Sequence, residues 1–118
     1  MKTQEMPQKR QSIVRLPRDK NNPYVTVNKG YVNDFKLSLK AKGLMTYLLS
    51  LPSDWMIYKE EITMHHKDGR DSVTSGFKEL LRAGYMTHVV EKNSKGQFVA
   101  NIYTVYEQPQ IKTAGAVK

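Results

Sequence analysis

The sequence predicts an α+β fold, and three observations predict it. Apolar residues recur at helical spacing in two stretches, each with a capping residue, and a short stretch between them opens with acids ahead of one apolar anchor. Two runs of alternating residues towards the C-terminus flank a glycine-containing turn. A β-branched, alternating run follows Pro23 near the start. The expected architecture is three helices, preceded by a short N-terminal strand and followed by a β-hairpin.

Each element has its own justification. Tyr24, Val25, Thr26 and Val27 alternate after a proline, which predicts the short strand. Ser38 is a candidate N-cap for a first helix in which Ala41, Leu44, Met45 and Leu48 share one face, and Pro52 closes that stretch. Gly43 within it costs about 1 kcal/mol relative to Ala, so close packing against another element is expected there. Tyr58 to His65 forms a short second helix, with Glu60 and Glu61 at the positive end of its dipole and Ile62 pointing inward. Lys67, Asp68 and Gly69 make a turn. From Arg70, the residues Val73, Phe77, Leu80 and Leu81 form one apolar stripe, and Gly84 supplies the C-terminal cap of this third helix. Tyr85 to Lys92 and Phe98 to Tyr106 alternate around Asn93–Gly96, which is the pattern of a hairpin. Trp55, Tyr58, Phe77 and Tyr85 are assigned to the core, with the methionines as filler.

Charge divides the 118 residues into three parts. Nineteen Lys and Arg against eleven Asp and Glu leave a net charge of +8, and the isoelectric point is near 9.7. Residues 1–22 carry six bases and two acids, residues 23–107 eleven bases and nine acids, and residues 108–118 two bases. Residues 1–22 are therefore expected to form a flexible basic arm, 23–108 the folded domain, and 109–118 a flexible tail. An excess of this sign favours a polyanion, most often nucleic acid. The absence of cysteine excludes disulfides, thiolate metal sites and cysteine nucleophiles. No signal peptide is visible and no apolar run is long enough to span a bilayer, so a cytoplasmic location without membrane attachment is expected. Neither a glycine-rich nucleotide loop nor a nucleophile elbow is present. His65, His66 and His88 lack the carboxylate spacing that completes a metal site. The chain is read as a non-enzyme without cofactors.

A short helix, a tight turn, a longer capped helix and a terminal hairpin follow the order of a winged helix-turn-helix. An α-helix fits the roughly 12 Å major groove of B-DNA, with its N-terminal residues at base edges. At about 100° per residue, Asp71, Ser72, Thr74, Ser75, Lys78 and Arg82 lie off the Val73/Phe77/Leu80 face, and Arg70 stands at the helix start. Short hydroxyls permit close approach, Arg70 suits a phosphate or a guanine, and Lys78 and Arg82 suit the backbone. Asp71 caps the helix, orients Arg70, or accepts from a cytosine amine. Lys67 and His66 lie in the preceding turn as phosphate contacts. The wing offers Lys92, Asn93, Ser94, Lys95 and Gln97, and the arm offers Arg15 and Arg18.

Leu37–Gly43, Leu48–Trp55, Lys67–Val73, Lys78–Tyr85 and Val105–Glu107 together resemble a helix-turn-helix domain common in Gram-positive plasmids and phages. The resemblance covers roughly residues 24–109. That domain forms the N-terminal part of phage replisome organisers and DnaD-like replication initiators, and occurs alone in small DNA-binding proteins of conjugative plasmids. The resemblance implies double-stranded DNA as partner, with contacts from Arg70, Ser72, Thr74, Ser75 and Lys78. It implies action in conjugation, DNA replication or transcription regulation. Further partners would be a second copy of the chain, a relaxase or replication proteins. The sequence stops soon after the hairpin, without the family's further domain for helicase loading or initiator assembly. Either an excised fragment or a protein acting alone is expected, and the non-repetitive tails favour the second. The alternative is a protein-interaction module of a replication or conjugation complex that kept the fold and lost the DNA surface. A second rival is a binder of single strands or RNA through exposed aromatics.

Overall fold

A computed structural model of the protein describes residues 12–110. In chain order the elements are α1 (Lys29–Val32), α2 (Leu39–Leu49), α3 (Lys59–Met64), α4 (Arg70–Ala83), β1 (Met86–Lys92) and β2 (Phe98–Val105). The described residues thus form an α+β fold with four helices and a two-stranded antiparallel hairpin.

The expected strand over Tyr24–Val27 does not form, and α1 is the additional helix. Val25 and Val27 are half-buried while Tyr24 and Thr26 are exposed, so the alternation does report an extended segment against the body. A strand also needs a ladder, and the sheet among the described residues contains only β1 and β2. Asn28 ends the extended run. Its side-chain oxygen accepts from the Gly30 amide at 2.7 Å, which caps α1 and turns Tyr31 into the core.

Ser38 caps α2 as expected, accepting from the Ala41 amide at 3.1 Å. Ala41, Met45 and Leu48 are buried on one side of that helix and face Val73, Phe77 and Leu80 of α4 in a single cluster. The close helix approach occurs at Gly76, where a Cβ would come 3.0 Å from Leu44 Cδ2. Gly43 plays no such role, contrary to expectation. It is exposed, and a Cβ added there meets nothing within 4 Å.

The core assignments divide in the same way. Phe77 and Tyr85 are buried, whereas Trp55 and Tyr58 are about half exposed, at 50% and 48%. Both belong to the connection between α2 and α3, which crosses the surface. Met45 and Met86 fill the core, while Met56 and Met64 are exposed.

Two buried tyrosines join the helices at one end of the core. Tyr31 and Tyr85 meet edge to face with centroids 6.5 Å apart. The Tyr31 hydroxyl shares a 2.7 Å hydrogen bond with Thr46 Oγ1, and the Tyr85 hydroxyl donates to Asp34 Oδ2 at 2.7 Å. Directly before Tyr85, Gly84 closes α4 with φ of 89°, the left-handed conformation that glycine adopts without strain. The Gln110 amide then donates to the Gly84 carbonyl at 2.7 Å, so the chain returns across the helix end.

The hairpin pairs Met86 with Val105 through Glu91 with Ala100, then slips by one residue so that Lys92 faces Phe98. It docks on the helices through Tyr103, whose ring stands edge-on to Phe77 at 5.0 Å.

Candidate nucleic-acid interface

Helix α4 buries Val73, Gly76, Phe77 and Leu80, which fixes what points away. Arg70, Asp71, Lys78 and Arg82 are exposed; Ser72, Thr74 and Ser75 are half-buried at the flanks. Ser72 Oγ is turned back towards Asp68, 3.4 Å away. Ser75 Oγ accepts from Lys40 Nζ at 2.8 Å. Of the residues expected on α4, the outward ridge therefore consists of the four charged ones, with the hydroxyls beside it.

Lys40 is the residue that the sequence pattern did not single out. Its ammonium lies at the flank of the α4 ridge although it belongs to the first turn of α2. The cause is a clamp between the two helices. The Ser38 amide donates to Glu79 Oε1 at 2.9 Å and the Ser38 hydroxyl donates to Oε2 at 2.7 Å. These bonds hold the Glu79 carboxyl below the usual carboxylate range, with smaller support from Lys40 and Arg82. Lys40 Nζ stands 4.0 Å from the same carboxylate. The one acid in the second half of α4 is thereby held ionised against α2, with Arg82 near enough to support its charge, while Lys78 stands exposed on the ridge.

The preceding turn is partly structural. His66 Nδ1 donates to the Ile62 carbonyl at 2.8 Å, and its ring meets Tyr47 edge-on at 4.3 Å. Lys67 is exposed beside it. A groove of about 300 Å³ runs between α2 and this turn, bounded by Gly43, Leu44, Tyr47, His66 and Ser72.

At the hairpin tip the expected residues divide by role. The Asn93 side chain accepts from the amides of Lys95 and Gln97, each at 2.9 Å, and donates to Gln97 Oε1 at 2.9 Å. Asn93 and Gln97 therefore build the turn, while Lys92, Ser94 and Lys95 are exposed on it. His88 lies on the hairpin face, stacked on Tyr103 at 4.6 Å and bonded to Asn101 at 2.8 Å.

Of the arm, Arg15 is exposed and Arg18 lies over the Tyr24 ring at 4.7 Å. Asp19 folds the chain directly after it, accepting from the amides of Asn21 and Asn22. Lys2, Lys9, Arg10, Lys112 and Lys118 lie outside the described residues.

No protein-family model, curated protein or solved structure matches this chain. Among the described residues no helix is long and apolar enough to cross a membrane. What the arrangement can do chemically is hold an extended anion. Three cations stand along α4, a fourth is held at its flank by the α2 clamp, and two more project from the hairpin.

Proposed function

We propose that the chain is a sequence-specific, double-stranded DNA-binding protein with a winged helix-turn-helix. Helix α4 enters the major groove, and Lys92 and Lys95 of the wing rest on an adjacent backbone or minor groove. The observation that carries this reading is the outward ridge of Arg70, Lys78 and Arg82, with Glu79 turned to the flank by its two bonds from Ser38. Arg70 at the helix start suits a base edge, and Asp71 beside it suits a cytosine amine. Lys78 and Arg82 further along suit phosphates. A single module of this kind buries roughly 600–1,000 Å², so high affinity calls for tandem sites, two copies, or added contacts from the basic N-terminal segment.

The resemblance described above favours a role for a plasmid or phage: recruitment at a transfer or replication origin, or promoter control, without catalysis. Selection of duplexes from a randomised library, followed by fluorescence anisotropy, tests the reading. Arg70→Ala is expected to lose about 1–3 kcal/mol and to relax selectivity at one base pair. Lys78→Ala is expected to weaken all duplexes alike and to lower the salt slope by about 1. Unchanged affinity for both variants would favour a protein-interaction module instead. Tighter binding of single strands than of duplexes at equal salt would transfer the function to the half-exposed Trp55 and Tyr58.

A further inference from the structure

The turn joining α1 to α2 displays a phenylalanine that no part of the fold uses. Phe35 is 98% exposed, whereas Leu37, two residues on, is 5% exposed and part of the core. Display of this kind places a large apolar surface in water.

The turn that carries it is held at both ends. The Leu37 amide donates to the Asp34 carbonyl at 3.1 Å, and Asp34 Oδ1 accepts from the Lys36 amide at 2.9 Å. Before Phe35, Asp34 Oδ2 is tied to the Tyr85 hydroxyl; after it, Ser38 is tied twice to Glu79. Both ties run to α4 and the residue pair that follows it. Phe35 is thus presented beside the C-terminal half of α4, the half that carries Lys78 and Arg82 outward.

Its neighbours in sequence match that setting. Lys36 is exposed next to it, Leu39 is 87% exposed four residues on, and Lys40 follows. Lys40 is turned to Ser75 and Glu79, so Lys36 is the cation beside Phe35. Bare apolar display suits a protein partner, but an adjoining lysine suits a surface of phosphates enclosing apolar bases.

We propose that Phe35 is a DNA-contacting wedge: it enters the duplex at a step flanking the α4 site and unstacks it, with Lys36 on the adjoining phosphate. This rests on the duplex-binding reading of α4 and adds a second point of contact to it. The wedge gives a use to an exposed ring on a backbone turn held at both ends, and it extends the footprint beyond what one helix covers. Specificity at the flanking step follows from how easily that step opens, with flexible pyrimidine–purine steps favoured.

The test uses the full chain and a duplex enriched by it from a randomised library, with 2-aminopurine placed in turn at the flanking steps. Phe35→Ala is expected to bind about tenfold more weakly, to abolish the fluorescence rise at one step, and to leave the melting temperature and the salt slope unchanged. Phe35→Trp is expected to retain the fluorescence rise. If Phe35→Ala matches the wild type in affinity and fluorescence, the wedge is wrong and the ring belongs to a protein contact. A Lys78→Ala/Arg82→Ala protein separates the two readings. Full affinity there removes α4 from the interface while Phe35 is judged on its own variants, and failure of the wild type to enrich any duplex removes both.

Discussion

Ser38 performs three tasks with one amide and one hydroxyl. Its oxygen accepts from the Ala41 amide to start α2, while its hydroxyl hydrogen and its amide both go to Glu79. Ser38→Ala is therefore expected to lower the unfolding free energy in urea by about 1–2 kcal/mol. The cap is legible in the sequence, because a serine precedes an apolar helical stripe. The partner 41 residues away is not, since no local pattern records which acid a serine meets. Asp34 and Tyr85 form a second long-range pair. The Tyr85 hydrogen bond, with help from the Lys36 amide, holds the Asp34 carboxyl below its usual range. Burial, reinforced by Asp34, pushes the Tyr85 phenol up to about 12. For Asp34 and Glu79 the folded value lies below the unfolded one. Their contribution is full above the ordinary values of 3.8 and 4.5 and is lost as pH falls through the depressed ones. For Tyr85 the folded value lies above the ordinary 10.0, so its contribution is full below that pH and is lost as pH rises towards about 12. Melting temperature against pH should therefore form a plateau that falls at both ends, and Tyr85→Phe should flatten the alkaline fall.

At the scale of elements, the glycines of the helices have opposite roles. Gly84 sits at φ of 89°, and a Cβ there would lie 2.9 Å from the Gln110 carbonyl oxygen. Gly84→Ala is expected to destabilise by about 1–2 kcal/mol in thermal or urea unfolding. Gly43 is in open space within α2, so Gly43→Ala is expected to stabilise by up to about 1 kcal/mol in the same assay. A destabilised variant there would mean that the groove beside Gly43 tolerates no added methyl. The α2, α3, α4 and hairpin patterns are all readable, because periodicity and caps are local properties. Tyr24–Val27 departs from expectation because alternation reports half-burial, and a strand requires a partner that local sequence does not specify. Trp55 and Tyr58 depart for a related reason: aromatic character favours burial, but the α2–α3 connection has no element above it.

Across the whole molecule, the ridge on α4 is readable as a helical face, and its membership changes only at the edges. Angle alone places Ser72 and Ser75 on it, and the neighbours Asp68 and Lys40 draw their hydroxyls aside. Charge at this scale also predicts the salt response. Residues 1–22 carry six of the nineteen basic residues, so their removal should reduce the dependence of duplex affinity on salt, by about 0.9 for each phosphate they neutralise. An unchanged slope would confine the interface to the folded residues.

The most direct test of the α4 interface is a nuclear magnetic resonance titration of the labelled chain with its enriched duplex. Amides from Arg70 to Arg82, together with those of Lys92 to Gln97, are expected to shift, and the Lys78 and Arg82 side chains to follow. Shifts confined to other surfaces, with the α4 amides unmoved at saturation, would contradict the account.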